Sequence, residues 1–569
     1  MKFKLFSREH TLIFFFTLIA LVFISKLFLM QVVHSTSYSD RADHQYVTPA
    51  SDIFERGTIY FTNKDGELFS AATQVTGYKL AIVPDKVKNI EDTYKKLSAV
   101  VKIDHDIFVE RAKKTNDPYE EITDHLSKET ADAISLLKLS GVSVYKQKWR
   151  FYPGNTMAPQ TLGFVGYKGN ELAGRYGLER FYEDTLSRSA DDPYLNFFAE
   201  VFSNISETFF TKGQRKGDVV TTIEPTVQGF LEKTLLDVKQ KYDVDAIGGI
   251  IMNPQDGSIY AMSALPSFDP NNFSKIRDNS LFTNPMVENV LEFGSVVKPL
   301  VMAGALDAGV ITAKTTYTDK GSVQVENKEI FNFDKKARGV VSMQEVLNQS
   351  LNTGMVYVYR QLGKEKLRDY LLSYGIKEKT GIDLPNETSG LVSNLNSPRD
   401  IEYADAAFGQ GIALTPVEMI RALASLGNFG KLVVPHLVDK IKLENGLEEK
   451  ITYPTTETKI SEATAEEITR MLVAVMDDAL KSGAAKFEHY SVAVKTGTAQ
   501  VADPVNGGYY ANRHTHSFFG YFPAYNPKFI IFLYAKNPKG VPYASVTWAD
   551  PFISTVKFLI NYYEVPPDR

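Results

Sequence analysis

Ser295 and Lys298 form the first pattern in this sequence of 569 residues that could carry out covalent chemistry. Pro299 is tolerated in the first turn of a helix, so a helix is predicted to start close to Ser295 and to place the serine and the lysine on one face. A serine hydroxyl needs a base, and a lysine amine can act as one only when desolvation or nearby positive charge keeps it neutral. The pair therefore predicts a serine nucleophile with a lysine as its base.

The spacing of this serine and lysine is not specific by itself. It also occurs at Ser135/Lys138, Ser143/Lys146 and Ser554/Lys557. The Ser295 copy differs from the others because two further motifs follow it in the chain, first Ser350-Leu351-Asn352 and then Lys495-Thr496-Gly497-Thr498. The order SxxK, SxN and KTG is typical of serine acyltransferases that react with penicillin.

The KTG pattern occurs twice, and its surroundings distinguish the two copies. The first, at 379–381, follows a polar run and is predicted to lie in a turn. The second follows the alternating residues SVAV, which predict a strand on which Lys495 and Gly497 face one way. Thr496 and Thr498 then face the other way, and the glycine lets a ligand or another backbone approach closely. The second copy is therefore the predicted functional one.

The strands and helices around these motifs predict an α+β domain. Five strands are predicted, two as a hairpin around the turn residues NPQDG and three near the C-terminus: 246–252, 258–264, 491–500, 516–522 and 529–535. Helical patterns dominate the chain between the two groups, as at Val301–Ala308 and Ala465–Leu480, and Phe552–Tyr562 closes it as a helix. The simplest arrangement is one largely antiparallel sheet covered by helices, with a helical subdomain inserted between its two halves.

Composition excludes several classes of protein. The chain has 44% hydrophobic and 23% charged residues, which are the proportions of a globular protein, and a formal net charge of -5, which offers no basic field for nucleic acid. It has no cysteine, so disulfides, a thiolate nucleophile, Cys-ligated zinc and iron–sulfur clusters are excluded. The only spacing typical of metal ligands is His514-x-His516, and it has no nearby partner, so no metal site is predicted.

The N-terminus predicts a membrane anchor. Residues 11–33 form a largely apolar run whose only charged residue is Lys26, and the run is long enough to cross a bilayer. Lys2, Lys4 and Arg8 precede it, so the tail at 1–10 is predicted to be cytoplasmic and everything after the span extracytoplasmic. A cleaved signal peptide is disfavoured because no A-x-A pattern follows, and a buried core helix is disfavoured because of the length.

Residues 34–215 are predicted to form a separate, non-catalytic domain of mixed strands and polar helices. The polar, Gly-rich run at Lys212–Asp218 marks its end, so 216–569 becomes the catalytic domain. The charged stretch from Ile90 to about Leu139 is predicted to be helical and solvated. Five residues of this half are predicted to form structural salt bridges and turns: Arg56, Arg150, Gly174, Gly177 and Glu179.

Taken together, the chain resembles the class B penicillin-binding proteins, which are peptidoglycan D,D-transpeptidases of the division or elongation type with a single membrane anchor. Beyond the three motifs, the resemblance rests on runs spread over nearly the whole chain: RGTIY (56–60), RFYPGN (150–155), GRYGLER (174–180), DVVTTIEPTVQ (218–228), ALPSFDPNNF (264–273), FGQGIALTPVEM (408–419) and HSFFGYFP (516–523). Departures from the family pattern stand at Phe293, Val297 and Val494, and they concern substrate or drug preference more than reaction type.

The resemblance implies a fold and a set of roles. The fold is the penicillin-binding transpeptidase and serine β-lactamase type, with a five-stranded antiparallel sheet between helices on both faces, a helical subdomain and an elongated mixed α/β pedestal. Ser295 is implied as the nucleophile that forms an acyl-enzyme with the penultimate D-Ala of a stem peptide, with Lys298 as its base. Ser350 relays a proton to the departing amine, Asn352 orients the lysine and the substrate amide, and Lys495 supplies positive potential.

The KTG strand is implied as the substrate-binding element. Thr496, Gly497 and Thr498 line the site of the donor's terminal carboxylate or of its β-lactam mimic, which makes β-lactams covalent inhibitors. Backbone N–H groups of Ser295 and Thr498 form the oxyanion hole. An amine from a neighbouring strand completes the crosslink, and neither a metal nor an organic cofactor is required.

The resemblance also implies a location and partners. The protein is expected in the bacterial plasma (inner) membrane, crossing it once, and to act on stem peptides of glycan derived from lipid II. Residues 34–215 are expected to contact a SEDS-type glycan polymerase and other cell-wall assembly proteins. Two alternatives stay open, a β-lactam-hydrolysing or β-lactam-sensing enzyme that uses the same serine and lysine, and a non-catalytic scaffold of the cell-wall machinery.

Overall fold

The computed structural model describes residues 55–169, 171–188, 216–503 and 505–569, together with Thr17, Ile19, Phe23 and Lys26. This part of the chain divides into two compact units. The smaller holds Gln74–Trp149, and the larger holds Arg56–Thr73, Arg150–Arg188 and the described chain from 216 onward. The larger unit thus includes two segments from before residue 215, and the predicted domain boundary there stays a prediction.

The predicted membrane span at 11–33 lies outside the described residues, except for four positions that are helical. Among the helices that the structure does describe, none combines the length and the apolar character needed to cross a lipid bilayer.

The smaller unit packs three helices, Ile90–Ser98, His105–Ala112 and Lys128–Leu136, around a core that includes Leu80 and Phe108. Side chains of Asn89, Asp104 and Ser127 cap the three helices. The strands that contribute to this unit are Leu68–Ile82, which supplies residues to both units, Glu120–Leu126 and Val142–Phe151.

The prediction that Ile90 to about Leu139 is a helical stretch is wrong in its middle. The strand Glu120–Leu126 interrupts it and pairs antiparallel with Tyr78–Ile82. Its charged residues are no obstacle, because most of them keep contact with solvent while the neighbouring strand satisfies the backbone. Backbone pairing with a distant segment has outweighed the local charge pattern.

The larger unit is built on a five-stranded sheet, whose strands are β1 (Ala246–Met252), β2 (Ile259–Leu265), β3 (Ala493–Ala502), β4 (Tyr509–Phe522) and β5 (Phe529–Lys536). Their order is β2-β1-β5-β4-β3, and every neighbouring pair is antiparallel. The predicted hairpin of β1 and β2 is confirmed. β4 begins at Tyr509 rather than at the predicted His516, because its mostly exposed first half continues the hairpin with β3. β3 is an edge strand.

Helices cover both faces of this sheet. The main ones are α1 (Pro225–Tyr242), α2 (Lys298–Asp307), α3 (Asn352–Leu362), α4 (Glu462–Ala474) and α5 (Ala544–Tyr562). The two adjacent glycines of β1 face opposite sides of the sheet. A Cβ on Gly248 would contact Met286, whereas a Cβ on Gly249 would contact Leu231 of α1. α5 packs with α1, and α2 packs with α3 and α4.

The segment between the two halves of the sheet is largely helical, as predicted, but it also contains short strands. Its further helices are Pro285–Glu288, Met343–Asn348, Lys364–Ser373, Asp400–Ala406 and Pro416–Gly427. Its strand pairs are Thr316–Asp319 with Gly339–Ser342, Ser322–Val325 with Lys328–Phe331, and Lys431–Leu432 with Thr456–Glu457. A further strand, Val438–Leu443, pairs with Glu448–Lys450 and with Gly217–Thr221, which in turn pairs with Ile59–Thr62.

The segments at 56–73 and 150–188 meet at a buried ion cluster. Glu179 is 0% exposed and accepts hydrogen bonds from Arg56 Nε and Arg150 Nε, each at 2.6 Å, and from the Tyr152 hydroxyl at 3.2 Å. Arg150 Nη1 also donates to the Gly57 carbonyl. Burial favours the neutral acid, but the two guanidinium groups outweigh it and lower the pKa of Glu179. The predicted structural role of these charges is confirmed.

Two glycines of the same segments are required by close backbone packing. A Cβ on Gly174 would lie 2.1 Å from the Glu179 carbonyl oxygen, and one on Gly177 would lie 2.4 Å from the Thr161 carbonyl oxygen. Gly177 also has a φ of +55°, in the left-handed region. The run GRYGLER therefore encodes a tight turn around the buried glutamate.

Candidate active site

Ser295 lies in a 3₁₀ turn, Gly294–Val297, that continues directly into α2 at Lys298. The helix start predicted from Pro299 is confirmed. The serine lines a cleft of about 710 Å³ and is half-buried. Gly294 has a φ of +63°, its N–H donates to the Gly409 carbonyl at 3.2 Å, and a Cβ on Gly409 would lie 2.0 Å from the Gly294 carbonyl oxygen. The loop FGQG thus supports the turn that presents the serine.

Lys298 is completely buried behind this turn, with 0% of its surface exposed. Its Nζ lies 2.6 Å from the Ser350 carbonyl oxygen, 2.8 Å from Asn352 Oδ1 and 3.2 Å from Ser350 Oγ. Burial, together with the positive charge of Lys495, lowers the pKa of Lys298 well below its ordinary value. A neutral amine at neutral pH is the condition that the serine–lysine hypothesis required.

The three contacts of Lys298 determine where its lone pair points. A neutral amine has two N–H groups, and the Ser350 carbonyl and Asn352 Oδ1 can only accept, so they take both. The lone pair then faces the third contact, the hydroxyl of Ser350. Among the residues that the structure describes, Nζ makes its hydrogen bonds to Ser350 and Asn352 and not to Ser295 Oγ. Lys298 therefore lies behind the turn that carries Ser295, and its amine is bound by the SxN motif.

Ser350 lies between two lysines. Its Oγ accepts a hydrogen bond from Lys495 Nζ at 2.9 Å and lies 3.2 Å from Lys298 Nζ. The residue has a φ of +55°, a conformation that non-glycine residues rarely adopt and that is often found at functional sites. Hydrogen bonds can therefore run from Lys495 through the Ser350 hydroxyl to the lone pair of Lys298, which is the geometry of a proton relay.

Lys495 is the second buried lysine and is 1% exposed. Its Nζ also donates to the Thr496 carbonyl at 3.0 Å. Burial lowers the pKa of Lys495 to about 7. Two amines with lowered pKa values on opposite sides of one hydroxyl form a site that can exchange protons near neutral pH.

The KTG strand packs tightly against the serine turn. A Cβ on Gly497 would lie 2.3 Å from the Phe293 carbonyl oxygen and 2.3 Å from Ser517 Oγ. Ser517 Oγ donates to that same carbonyl at 2.7 Å. The prediction that Gly497 permits a close backbone approach is confirmed, and the approaching backbone belongs to the turn that carries Ser295.

The predicted site residues come together in one place. Six of them line the cleft: Ser295, Ser350, Asn352, Lys495, Thr496 and Thr498. Lys298 and Gly497 lie behind its wall, in contact with Ser350 and with the serine turn. The roles assigned to the individual residues, and the oxyanion hole of Ser295 and Thr498, stay predictions.

The first KTG copy has a different environment. Thr380 is buried in an irregular segment, where its N–H and its hydroxyl both donate to Glu387 Oε1 at 2.6 Å. Gly381 N–H donates to the other oxygen of the same carboxylate at 3.2 Å. This copy stabilises a turn and does not line the cleft that holds Ser295.

Several cleft residues were not predicted from the sequence. Gln500 could have been, because it shares the strand face of Thr496 and Thr498. Phe333 and Tyr543 also line the cleft, and their rings meet edge to face with centroids 5.4 Å apart. These two belong to a loop and a helix end that are far apart in sequence, so no local pattern indicates that they meet.

The two histidines of the His514-x-His516 spacing have different surroundings. His514 lines the cleft, whereas His516 is buried, its Nδ1 lies 2.8 Å from Thr547 Oγ1, and burial lowers its pKa to about 4. The residues that the structure describes contain no group of three or more His, Asp or Glu side chains that could hold a metal ion.

Comparison with known proteins identifies the family. Residues 247–555 match the penicillin-binding protein transpeptidase domain, and residues 54–193 match the penicillin-binding protein dimerisation domain. The stage V sporulation protein D of Bacillus subtilis is 30% identical over 519 residues, which cover 88% of this chain and 77% of that protein. The peptidoglycan D,D-transpeptidase FtsI of Buchnera aphidicola is 24% identical over 570 residues, covering 98% of this chain and 96% of that one.

The fold agrees with this assignment. The crystal structure of penicillin-binding protein 3 from Mycobacterium tuberculosis, complexed with aztreonam, is similar with a TM-score of 0.68 at 20% identity, over 91% of this chain and 98% of that chain. That likeness shows a shared fold, and the sequence matches extend over most of the chain. On these grounds the protein belongs to the class B penicillin-binding proteins.

Proposed function

We propose that this protein is a peptidoglycan D,D-transpeptidase that crosslinks stem peptides through an acyl-enzyme on Ser295. The observation that carries the proposal is the buried amine of Lys298, which Ser350 and Asn352 hold behind the turn of the half-buried serine and whose pKa is lowered by burial and by Lys495. The D,D-transpeptidase names of the FtsI relatives support the reaction, and the aztreonam complex of a protein with the same fold supports inhibition by β-lactams.

In the acylation step, Ser295 Oγ attacks the carbonyl carbon of the penultimate D-Ala. Lys298 Nζ turns from Ser350 to take the serine proton, which is feasible because hydrogen bonds in unliganded active sites often tighten only when substrate binds. The peptide bond breaks, Ser350 passes its proton to the leaving amine, and Lys298 passes the proton taken from Ser295 on to Ser350 Oγ. The terminal D-Ala therefore departs as a neutral amine, and the lysine is neutral again for deacylation. Lys495, which donates to Ser350 Oγ, stabilises the hydroxyl while it gives up its proton.

In the deacylation step, the amine of a second stem peptide attacks the ester carbonyl. Its proton passes back to Ser295 Oγ through the same lysine, and a new peptide bond replaces the ester. A β-lactam reacts like the donor, but its leaving amine stays attached to the acyl group through the opened ring, and the adduct persists.

Substrate binding is assigned to the edge strand β3. Outward N–H and C=O groups of an edge strand can pair with an extended peptide, so the donor peptide lies along this edge. Thr498 Oγ1 accepts a hydrogen bond from Ala544 N at 3.2 Å, which leaves its proton available for a carboxylate in the cleft. Thr496 and Thr498 bind the donor carboxylate, while Gly497, behind the cleft wall, lets the strand lie close to the serine turn. N–H groups of Ser295 and Thr498 form the oxyanion hole.

The proposed setting is the outer face of the bacterial plasma membrane. The apolar run at 11–33 anchors the protein, with the tail at 1–10 in the cytoplasm. Residues 34–215 form a non-catalytic region that contacts a SEDS-type glycan polymerase and other assembly proteins, while 216–569 carry the reaction.

Labelling with fluorescent penicillin tests the proposed function. Membranes with the wild-type protein should show a labelled band of the full chain, and Ser295→Ala membranes should not. Mass spectrometry should place the penicilloyl group on Ser295, where it persists for many minutes. Rapid loss of the adduct would favour a β-lactam hydrolase, and wild-type crosslinking by the Ser295→Ala protein would favour a scaffold.

A further inference from the structure

The helix α3, which begins at Asn352, lacks a cap of its own. The residue at its N-cap is Leu351, whose side chain has no oxygen to accept from the first-turn N–H groups. The Thr353 N–H instead donates to Asn332 Oδ1 at 3.2 Å. A side chain from a distant loop therefore takes the place of a cap at the helix that starts with a residue of the SxN motif.

Asp319 holds this substitute cap in place. Asn332 Nδ2 donates to both carboxylate oxygens of Asp319, each at 3.0 Å, and Thr353 Oγ1 donates to Asp319 Oδ1 at 2.7 Å. The N–H groups of Gly321 and Arg338 also donate to this carboxylate, each at 3.0 Å. Asp319 and Asn332 are both 1% exposed, so this is a buried polar network whose members have partners.

The network reaches Lys298 through the residue before Asn332. The Phe331 carbonyl accepts from Asn352 Nδ2 at 3.0 Å. This contact decides which way the Asn352 amide faces, because only Nδ2 can donate to a carbonyl. Oδ1 therefore faces Lys298 Nζ, at 2.8 Å. Residues 331–332 thus bind residues 352–353 at two points, and Asp319 binds both members of one of these pairs, Asn332 and Thr353.

We propose that Asp319 and Asn332 are positioning residues that cap α3 from outside and, through the Phe331 carbonyl, keep the oxygen of Asn352 facing Lys298. The proposal rests on the proposed function, since it assigns Lys298 as the base. Neither residue touches the substrate, and both act through the orientation of one amide.

Loss of this support has a specific consequence for the lysine. If the Asn352 amide turns over, Nδ2 faces Nζ and donates to its lone pair. The lone pair is then less able to accept the serine proton, so acylation slows at every pH. A donor facing Nζ also disfavours the ammonium form, so the acid limb of the rate profile moves to lower pH.

Asp319→Asn also removes a negative charge from the network, and Thr353→Val, which keeps that charge, shows the effect of the amide alone on the acid limb. Lys495 is the charged group that faces Lys298 across the cleft, and it is unchanged in the variants. Tyr317 donates to or accepts from Thr353 Oγ1 at 3.0 Å, and burial raises the pKa of Tyr317 to about 12. Arg338 pairs through its guanidinium with Asp334 at 2.7 and 2.8 Å.

The test compares acylation of full-length variants in detergent by fluorescent penicillin, as a function of pH. We expect Asp319→Asn to label Ser295 about 10–100-fold more slowly, as is usual when a partner that orients a reactive group is lost, with its acid limb at lower pH. Thr353→Val removes one hydroxyl donor and should slow labelling by about 2–10-fold, while Thr353→Ser restores it. Asp369→Asn, a surface control whose carboxylate pairs with Lys459, should match the wild type.

The outcomes separate the possible explanations. A folded Asp319→Asn protein that labels within about twofold of the wild type overturns the proposal, and so does a slower protein with an unmoved acid limb, since that is general structural damage. If Asp319→Asn does not fold, the proposal is judged on Thr353→Val and Thr353→Ser instead, by the labelling rate and by the position of the acid limb. A wild-type protein that is not labelled on Ser295 refutes the proposed function instead.

Discussion

Lys495 Nζ lies 2.9 Å from Ser350 Oγ, although the two residues are 145 positions apart in the chain. The contact joins the KTG strand on the sheet to the SxN motif on the helical side of the cleft. Because Ser350 has a left-handed backbone with a φ of +55°, it follows the end of one helix and still presents both its carbonyl and its hydroxyl to the buried lysines. The proposed relay between the two motifs therefore depends on the left-handed backbone of one residue.

Removal of the Ser350 hydroxyl should slow acylation strongly. In Ser350→Ala the lone pair of Lys298 and the donor of Lys495 lose their common partner, and the leaving amine loses its proton source. Proton transfer by a positioned group typically contributes about 10²–10⁴-fold, so we expect a fall of that size in the rate constant for acylation by penicillin. The methyl group keeps the same backbone preference, and the protein should fold.

Stopped-flow or gel-based labelling measures this rate, and Ser393→Ala, on an exposed 3₁₀ turn, serves as the matched control. A Ser350→Ala protein that acylates within tenfold of the wild type would remove Ser350 from the relay.

The pKa of Lys495 predicts an alkaline limb in the rate profile. Burial lowers this pKa to about 7, so Lys495 is charged below that pH and becomes neutral as the pH rises through it. Its positive charge attracts the carboxylate of penicillin and supports Ser350. The apparent second-order rate constant for acylation, which reports the free enzyme, should therefore decline above about pH 7.

Lys495→Arg provides the check, because a guanidinium stays charged over this whole range. Its maximal rate is expected to be lower, since the longer group fits the buried position less well, but its profile should lack the alkaline decline. An alkaline decline of the same position in both proteins would show that another group titrates.

Much of the site could be predicted from the sequence, because its chemistry is carried by short motifs on regular elements. Alternation along β3 predicted that Gly497 faces a close neighbour, and Pro299 predicted the helix start beside Ser295. Both inferences depend only on residues that are close together in sequence, through the alternation of a strand and the position of a proline in the first turn of a helix. The order of the three motifs then indicated a common cleft, which the structure contains.

The remaining features depend on contacts between distant segments. Nothing near Asn352 in sequence shows that its helix is capped by Asn332, which lies in a distant loop. The strand Glu120–Leu126 was missed for the same reason, since its charged residues resemble a solvated helix until its pairing partner is known. Such pairings are decided by packing and backbone hydrogen bonds, which local propensity does not encode.

The buried Glu179 should be a major source of stability for the larger unit. Glu179→Gln removes the counter-charge of the buried Arg150 and one of the two carboxylates that pair with Arg56, the other being Glu183, and breaking a buried pair typically costs about 3–5 kcal/mol. We expect a lower urea midpoint for this variant at pH 7. Glu467→Gln is the matched control, because its partner Arg470 is half exposed and such pairs contribute less than about 1 kcal/mol.

The loss should depend on pH in a defined direction. The pKa of Glu179 is lowered in the folded protein, so the carboxylate contributes stability that is present above the unfolded-state pKa and lost as the pH falls through the folded-state value. The wild type and Glu179→Gln should therefore converge on acidification below about pH 4.3, the ordinary pKa of glutamate. A constant difference down to pH 3 would contradict the ion-pair explanation.

The two KTG copies allow a comparison within one chain. Thr498→Val removes the hydroxyl that faces the cleft, so binding of the penicillin carboxylate should weaken, and the second-order rate constant for acylation should fall about 10-fold for one lost charge-assisted hydrogen bond. Thr380→Val removes the donor to Glu387 at 2.6 Å and leaves that buried carboxylate short of a partner, so it should lower stability by about 1–3 kcal/mol instead. Per folded molecule, its acylation rate should equal that of the wild type. Acylation kinetics and urea unfolding of both variants separate the two roles, and an acylation defect in Thr380→Val at unchanged stability would show that the first copy contributes to the site.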